Sequence, residues 1–250
     1  MSDDGEFVSI GELTKILQGQ IHPVILKSTD DQYPYYGVGT AFILEFEQQL
    51  FVVTAKHILD SQHATSSDLQ ILLRKNGYSV QFDAEAVFQP DYSPHFDLVI
   101  LRIAAFQQEL LRSLGAYWIN LTDSIADDEQ PNADHFCIVG YSEDDREYNY
   151  EQQTFTAELS ILEARLTTPQ VDGLSTLHVF GERPSSFRGL SGSLVVANVD
   201  GIWKLAGMLA LAHEETGILN FISADTIGFY LIRLIDMIQR GENIIDRPVS

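Results

Sequence analysis

Residues 186–193 read Ser-Phe-Arg-Gly-Leu-Ser-Gly-Ser and run straight into Leu194-Val195-Val196-Ala197. A serine between glycines at the end of a loop, with a β-branched run behind it, is the pattern of an exposed hydroxyl on a tight turn that opens a strand. Glycine tolerates φ > 0 and has no Cβ, so two nearby backbone N–H groups can be aimed at one point. Such a pair is what stabilisation of a developing oxyanion requires. On its own the stretch is equally well a small-residue loop before a strand. The rest of the chain has to decide.

Ser9-Ile10-Gly11-Glu12 fits a capping box ahead of Leu13, Ile16 and Leu17, which predicts a short N-terminal helix. His22-Pro23 ends it and leads into Val24-Ile25-Leu26 as a strand. Gly37–Leu44 and Leu50–Ala55 are strand-like runs joined by Glu45–Gln49, the spacing of a hairpin. Residues 69–73 and 78–88 alternate as strands do, with Asn76-Gly77 as a hairpin turn between them. Leu98–Ile103 is a continuous apolar run, and 106–114 reads as a helix or linker ending at Gly115. The second half is again strand-rich: 136–139, 155–166, 174–180, 194–199, 203–212 and 219–222. Glu143-Asp144-Asp145-Arg146-Glu147 reads as a solvated surface loop. Ser223 or Asp225 caps a last helix carrying Ile227, Tyr230, Leu231, Leu234 and Ile238 on one face, with Gly241 as its stop. Two successive groups of short strands suggest paired barrels or sandwiches.

Three special positions stand at the ends of these runs. His57 follows the apolar stretch Leu50–Ala55, Asp97 precedes Leu98, and Ser191 precedes Leu194. A histidine at the edge of a core is commonly structural, and an Asp at a strand mouth commonly caps a turn. Together, however, the three supply a nucleophile, a base and a group to orient that base. The order His, Asp, Ser excludes the α/β-hydrolase arrangement, in which serine comes first on a strand-to-helix turn. The order with Asp first is excluded too. His57 and His63 lack the spacing and acidic partner of a metal site, so no metal or other cofactor is expected.

At this point the chain resembles the trypsin-like, chymotrypsin-fold serine proteases, and in character the bacterial disulfide-free members of the HtrA/Deg type. The matching pieces are Gly37-Val38-Gly39-Thr40-Ala41-Phe42, Val53-Thr54-Ala55-Lys56-His57, Phe96-Asp97-Leu98-Val99-Ile100-Leu101 and Gly189-Leu190-Ser191-Gly192-Ser193. Leu205–Met208 and Asn220–Ser223 are similar to the family's last strands. The resemblance spans roughly residues 20–240. It implies an all-β fold of two six-stranded antiparallel β-barrels, 20–112 and 113–222, with a short N-terminal helix and a C-terminal helix over 223–241. It implies a serine endopeptidase acting through an acyl-enzyme, with Ser191 as nucleophile, His57 as base and Asp97 as its partner. The N–H groups of Gly189 and Ser191 would form the oxyanion hole. The peptide or protein substrate would lie between the barrels along Ala210, Leu211 and Ala212, with Ser185 at the pocket base.

The chain departs from the family pattern in informative places. Leu190 stands where zymogen-activated members carry an acid, and no activation-cleavage sequence precedes residue 24, so activation by a new N-terminus is not expected. Ser193 replaces a glycine, Ala210 a polar residue that supports the triad Asp, and Ala212 a pocket glycine. A neutral Ser185 implies a neutral residue before the scissile bond. No PDZ module is expected, leaving regulation to loops, the N-terminal helix, oligomerisation or a regulatory protein partner. Two competing readings are an inactive relative used as a peptide-binding or scaffold module, and a different serine hydrolase such as an esterase, which the chain order disfavours.

Charge and composition narrow the setting. The net charge of −21 argues against nucleic-acid binding and against an anionic membrane surface. The start Met1-Ser2-Asp3-Asp4-Gly5-Glu6 lacks the basic and apolar regions of a signal peptide, and no apolar run reaches the roughly 18 residues of a membrane span. Cys137 is the one cysteine, in the buried-strand pattern Phe136-Cys137-Ile138-Val139, so no intrachain disulfide forms. These features predict a reducing, cytoplasmic setting.

Overall fold

The computed structural model describes residues 10–61, 63–71, 79–88, 96–152, 154–181 and 183–242. The Asn76-Gly77 hairpin turn, Ser9 of the capping box and the loop Pro90–Pro94 lie outside them. Helix α1 (Ile10–Leu17) buries Leu13 and Leu17 and leads into β1 (Ile21–Lys27). The strand starts three residues earlier than the sequence suggests and contains Pro23. On the side of the next strand Pro23 stands opposite Thr40, whose N–H donates to the Ser191 carbonyl and whose carbonyl accepts the Thr54 hydroxyl. The missing proline N–H therefore leaves no gap in that ladder. On the other side β4 (Leu69–Ile71) pairs with Val24–Leu26.

Strands β2 (Tyr35–Phe46) and β3 (Gln49–Thr54) form the expected hairpin. The turn is tighter than the sequence suggests: Glu47 and Gln48, at φ 47° and 62°, both take the left-handed conformation. Two such residues make the turn whose twist matches a hairpin. A four-residue helix, α2 (His57–Asp60), follows β3, and β5 (Phe82–Phe88) and β6 (Leu98–Ile103) complete the meander. The sheet order is β4-β1-β2-β3-β6-β5, and β7 (Ile119–Asn120), which follows α3 (Ala105–Ser113), joins as a parallel partner of β2.

This first unit is a curled seven-stranded sheet among the described residues, in keeping with the expected architecture. Its two edges curl until the Val80 N–H donates to the Ile71 carbonyl at 3.4 Å, giving a half-barrel. The crossover to the second unit follows residue 120, since β7 still belongs to the first sheet.

The second unit is a closed barrel as expected. Its strands are β8 (His135–Gly140), β11 (Ser160–Thr167), β12 (Ser175–Val179), β13 (Leu194–Val199), β14 (Ile202–His213) and β15 (Ile218–Ser223), in the order β11-β12-β15-β14-β13-β8. A separate antiparallel hairpin, β9 (Arg146–Asn149) with β10 (Thr154–Ala157), belongs to neither sheet. The run 155–166 therefore divides in two, because 154–157 pairs with β9 and 160–167 with β8 and β12. Ser223 caps α4 (Ala224–Gln239), its hydroxyl accepting the Thr226 N–H, and Ile227, Tyr230, Leu231 and Leu234 are buried. No helix among the described residues is long and apolar enough to cross a membrane.

Phe136, Ile138, Leu177, Val195, Leu209 and Phe221 fill the barrel, and a larger core runs from α1 through the half-barrel to α4. Each fully buried Leu, Ile or Phe contributes about 1.5–3 kcal/mol. Cys137, 0% exposed, faces this larger core, and burial pushes its thiol up from 9.0 to about 12. The unfolded chain loses that proton first as pH rises, so folding stability falls from about pH 9 towards pH 12, by up to about 1.4 kcal/mol per pH unit. Denaturant titrations across this range should show a Cys137→Ala variant with a shallower decline. Parallel declines would assign the loss to other groups.

Candidate active site

The half-barrel supplies two of the three special residues and the barrel the third. His57 is the first residue of α2, with two residues between it and the end of β3; Asp97 immediately precedes β6; and Ser191 lies in the loop before β13. Strands β3 and β6 are hydrogen-bonded neighbours, with Thr54 opposite Val99, so His57 and Asp97 emerge from the same end of the sheet. The two are joined by a hydrogen bond between His57 Nδ1 and Asp97 Oδ2. The His57 backbone N–H donates to the other carboxylate oxygen at 2.8 Å.

Asp97 is 8% exposed, and a buried carboxylate needs such partners. Among the described residues both of its bonds come from His57. Ala210 is buried and has no hydroxyl to add. On its other side the imidazole reaches across to the barrel, where Nε2 lies 2.7 Å from Ser191 Oγ. The ring is partly open to solvent, and Ser191 is half-buried.

The serine loop is built from a turn and a floor. The Leu190 N–H donates to the Phe187 carbonyl at 3.2 Å, closing a four-residue turn with Gly189 (φ 85°) in its third position. That position of a type II turn requires positive φ, hence glycine. Phe187 and Leu190 are buried in the barrel core beneath the turn. Gly192 N–H donates to Leu209 O at 2.9 Å, and Leu209 N–H to Ser193 O at 2.8 Å, which fastens the loop to β14. Ser193 is fully buried, and its hydroxyl occupies space that a side chain at Gly140 would need.

The direction of the peptide groups in this turn is set from outside it. The Arg188 carbonyl accepts the Glu143 N–H at 2.9 Å, so in the trans Arg188–Gly189 peptide the Gly189 N–H faces the opposite way. The Gly189 carbonyl accepts the Thr40 hydroxyl at 3.0 Å, and the Ser191 carbonyl accepts the Thr40 N–H at 2.9 Å. The N–H groups of Gly189 and Ser191 have no acceptor among the described residues.

Beyond Met208, where the β13 pairing stops, Leu211 and Ala212 of β14 pair with β15 alone, and Ala210 sits at the register shift between Leu209 and Leu211. Their other edge is unpaired among the described residues. Ser185 is exposed, and its hydroxyl donates to Asp144. The next serine, Ser186, donates to Glu214 at 2.7 Å, and the Phe187 N–H donates to the same oxygen at 2.8 Å. These two bonds, with Arg188 nearby, hold the Glu214 carboxyl below the usual range.

Sequence reasoning missed Asp144 and Glu214, which come from loops distant in the chain, and the bridging role of Thr40. It also missed Arg146, 9% exposed, whose Nη2 donates to the carbonyls of Tyr141 (2.8 Å), Gly39 (3.3 Å) and Gly189 (3.4 Å). The signal available was one arginine inside an acidic run. Among the described residues no three His, Cys, Asp or Glu side chains gather as a metal ion requires.

A closed six-stranded barrel, a curled half-barrel sheet beside it and a C-terminal helix define a chymotrypsin-like fold. No protein-family model matches the chain, and no curated protein does. Among solved structures 377 chains match. One of them, human heparin binding protein, aligns with a TM-score of 0.57 over 87% of this chain and 92% of its own, at 12% identity. The likeness is one of fold.

Proposed function

We propose that this chain is a serine endopeptidase working through His57, Asp97 and Ser191. The observation that carries the reading is the line from Asp97 through His57 to Ser191 Oγ, with the serine hydroxyl 2.7 Å from Nε2. Ser191 Oγ attacks the scissile carbonyl carbon while its proton passes to His57 Nε2. Asp97 holds the ring by Nδ1–H and stabilises the imidazolium that forms. The N–H groups of Gly189 and Ser191 take the charge developing on the carbonyl oxygen. Collapse breaks the C–N bond as His57 hands its proton to the leaving amine. A water then repeats the sequence against the acyl-enzyme, with His57 again accepting and returning the proton. The unpaired edge of Ala210–Ala212 offers backbone groups to an extended substrate, which adds as a further strand.

Heparin binding, named for the structural neighbour, does not carry over. A polyanion is repelled by a chain of net charge −21.

The first test is a fluorophosphonate probe with the modified residue located by mass spectrometry, followed by cleavage of a peptide library. Phosphonylation at Ser191 and cleavage before the probe are expected. A folded wild-type chain that neither reacts nor cleaves would leave the peptide-binding module. In the library, neutral residues before the scissile bond are expected from Ser185. Enrichment of Arg or Lys there would instead assign the pocket's selectivity to Asp144 and Glu214.

A further inference from the structure

We propose that Arg146 is a positioning residue that holds the turn at Gly189 in the orientation which leaves its N–H free for the oxyanion. The inference rests on the serine-protease reading above and adds to it the group that keeps the hole open.

One nitrogen of the guanidinium joins three segments: Gly39 in β2, Tyr141 after β8, and Gly189 beside the nucleophile. The packing beneath Gly189 is tight, since a Cβ built there would fall 2.4 Å from Arg146 Nη2. Arg146 also closes the small turn that presents the Glu143 N–H to the Arg188 carbonyl, through its own N–H to Glu143 O at 3.3 Å. The carbonyls on both sides of Gly189 are therefore tied to a single four-residue segment, 143–146. If they are released, the Arg188–Gly189 peptide is free to turn over and point a carbonyl oxygen where the substrate oxygen must sit.

The guanidinium is not fully satisfied where it lies. It is buried, burial lowers its pKa, and its Nε–H has no acceptor among the described residues. An incompletely satisfied buried cation is weak support for stability. Its location is nonetheless well defined. It begins the β9–β10 hairpin, which is fastened to the half-barrel by the Gly37 N–H to Tyr148 Oη (3.0 Å) and by Tyr35 Oη to the Thr154 carbonyl (3.1 Å). The rings of Tyr33, Tyr35 and Tyr148 gather around Tyr150. The half-barrel thus fixes the hairpin, the hairpin fixes Arg146, and Arg146 fixes a loop of the barrel.

The test compares wild type, Arg146→Ala and Arg146→Lys on a p-nitrophenyl ester, with Tm measured in parallel and crystal structures of wild type and Arg146→Ala. Losing one oriented oxyanion donor lowers kcat about 100-fold or more. Arg146→Ala should show a loss of that size with KM within about twofold, Arg146→Lys a smaller one. Millimolar methylguanidinium should restore part of the Arg146→Ala rate and leave wild type unchanged, and the variant's Arg188–Gly189 peptide should be reoriented. Unchanged kcat overturns the proposal. So does a loss that tracks a lowered Tm and resists methylguanidinium. If wild type itself is inert to the ester and to fluorophosphonate, the protease reading fails, and the crystal structures alone judge the brace: a peptide unmoved in Arg146→Ala overturns it.

Discussion

Ser191→Ala should lower kcat for peptide hydrolysis by about a millionfold while leaving the protein folded with an unchanged Tm. In the proposed mechanism the serine hydroxyl forms the covalent intermediate, and comparable deletions in a working triad cost this much. A factor of that size corresponds to about 8 kcal/mol of transition-state stabilisation. His57→Ala should fall as far, because without the base the hydroxyl keeps its proton. The double variant should be no worse than either single one, since the two residues act as a unit. Asp97→Asn should lose about ten-thousandfold: the isosteric amide fills the same space but favours the wrong imidazole tautomer. Single-turnover kinetics on an activated ester and a peptide read all four. Losses that simply multiply in the double variant would show that the 2.7 Å contact is not a catalytic one. A Ser191→Ala protein that still cleaves would move the nucleophile elsewhere.

Much of this arrangement is legible in the chain because the chemistry sits at strand ends. Val53-Thr54-Ala55 and Leu98–Ile103 announce buried neighbouring strands, and a polar residue at the mouth of such a run has few places to go. His57 and Asp97 are brought together by the β3–β6 pairing alone. Ser191 is readable for a related reason, since the glycines around it mark backbone that must turn sharply before β13.

What is not legible depends on contacts between distant segments. Arg146 sits among Glu143, Asp144, Asp145 and Glu147, and local composition describes a solvated loop. Its burial is decided by carbonyls at Gly39 and Gly189, 107 and 43 positions away. The separation of β10 from β11 is hidden likewise. Residues 155–166 are uniformly strand-like, and only the identity of the partners, β9 for one part and β8 with β12 for the other, reveals two strands. Pro23 misleads in the opposite direction. A proline reads as a boundary, but inside β1 it stands opposite Thr40, whose own N–H and carbonyl are bonded elsewhere.

Gly189→Ala is expected to cost activity and stability together, the opposite of the serine deletion. Alanine keeps the N–H that is proposed to hold the oxyanion, so no donor is removed by the substitution. What changes is the backbone's freedom to aim it. Gly189 adopts φ 85°, where a side chain is strained by about 1–2 kcal/mol. The added methyl has no room either, lying 2.6 Å from the Tyr141 carbonyl and 2.8 Å from the Glu143 nitrogen as well as against Arg146. The first two are backbone atoms, so relief comes from moving the turn itself. Reorienting the Arg188–Gly189 peptide withdraws one of the two proposed oxyanion donors, a loss expected to lower kcat about 100- to 1,000-fold. KM should shift little, because the edge of Ala210–Ala212 is untouched. Thermal unfolding should report a lowered Tm, and fluorophosphonate labelling of Ser191 should slow with kcat, the probe's phosphoryl oxygen using the same two N–H groups. A Gly189→Ala enzyme with wild-type kcat would show that this N–H takes no part in the reaction, and the oxyanion would have to be held by other donors around Ser191.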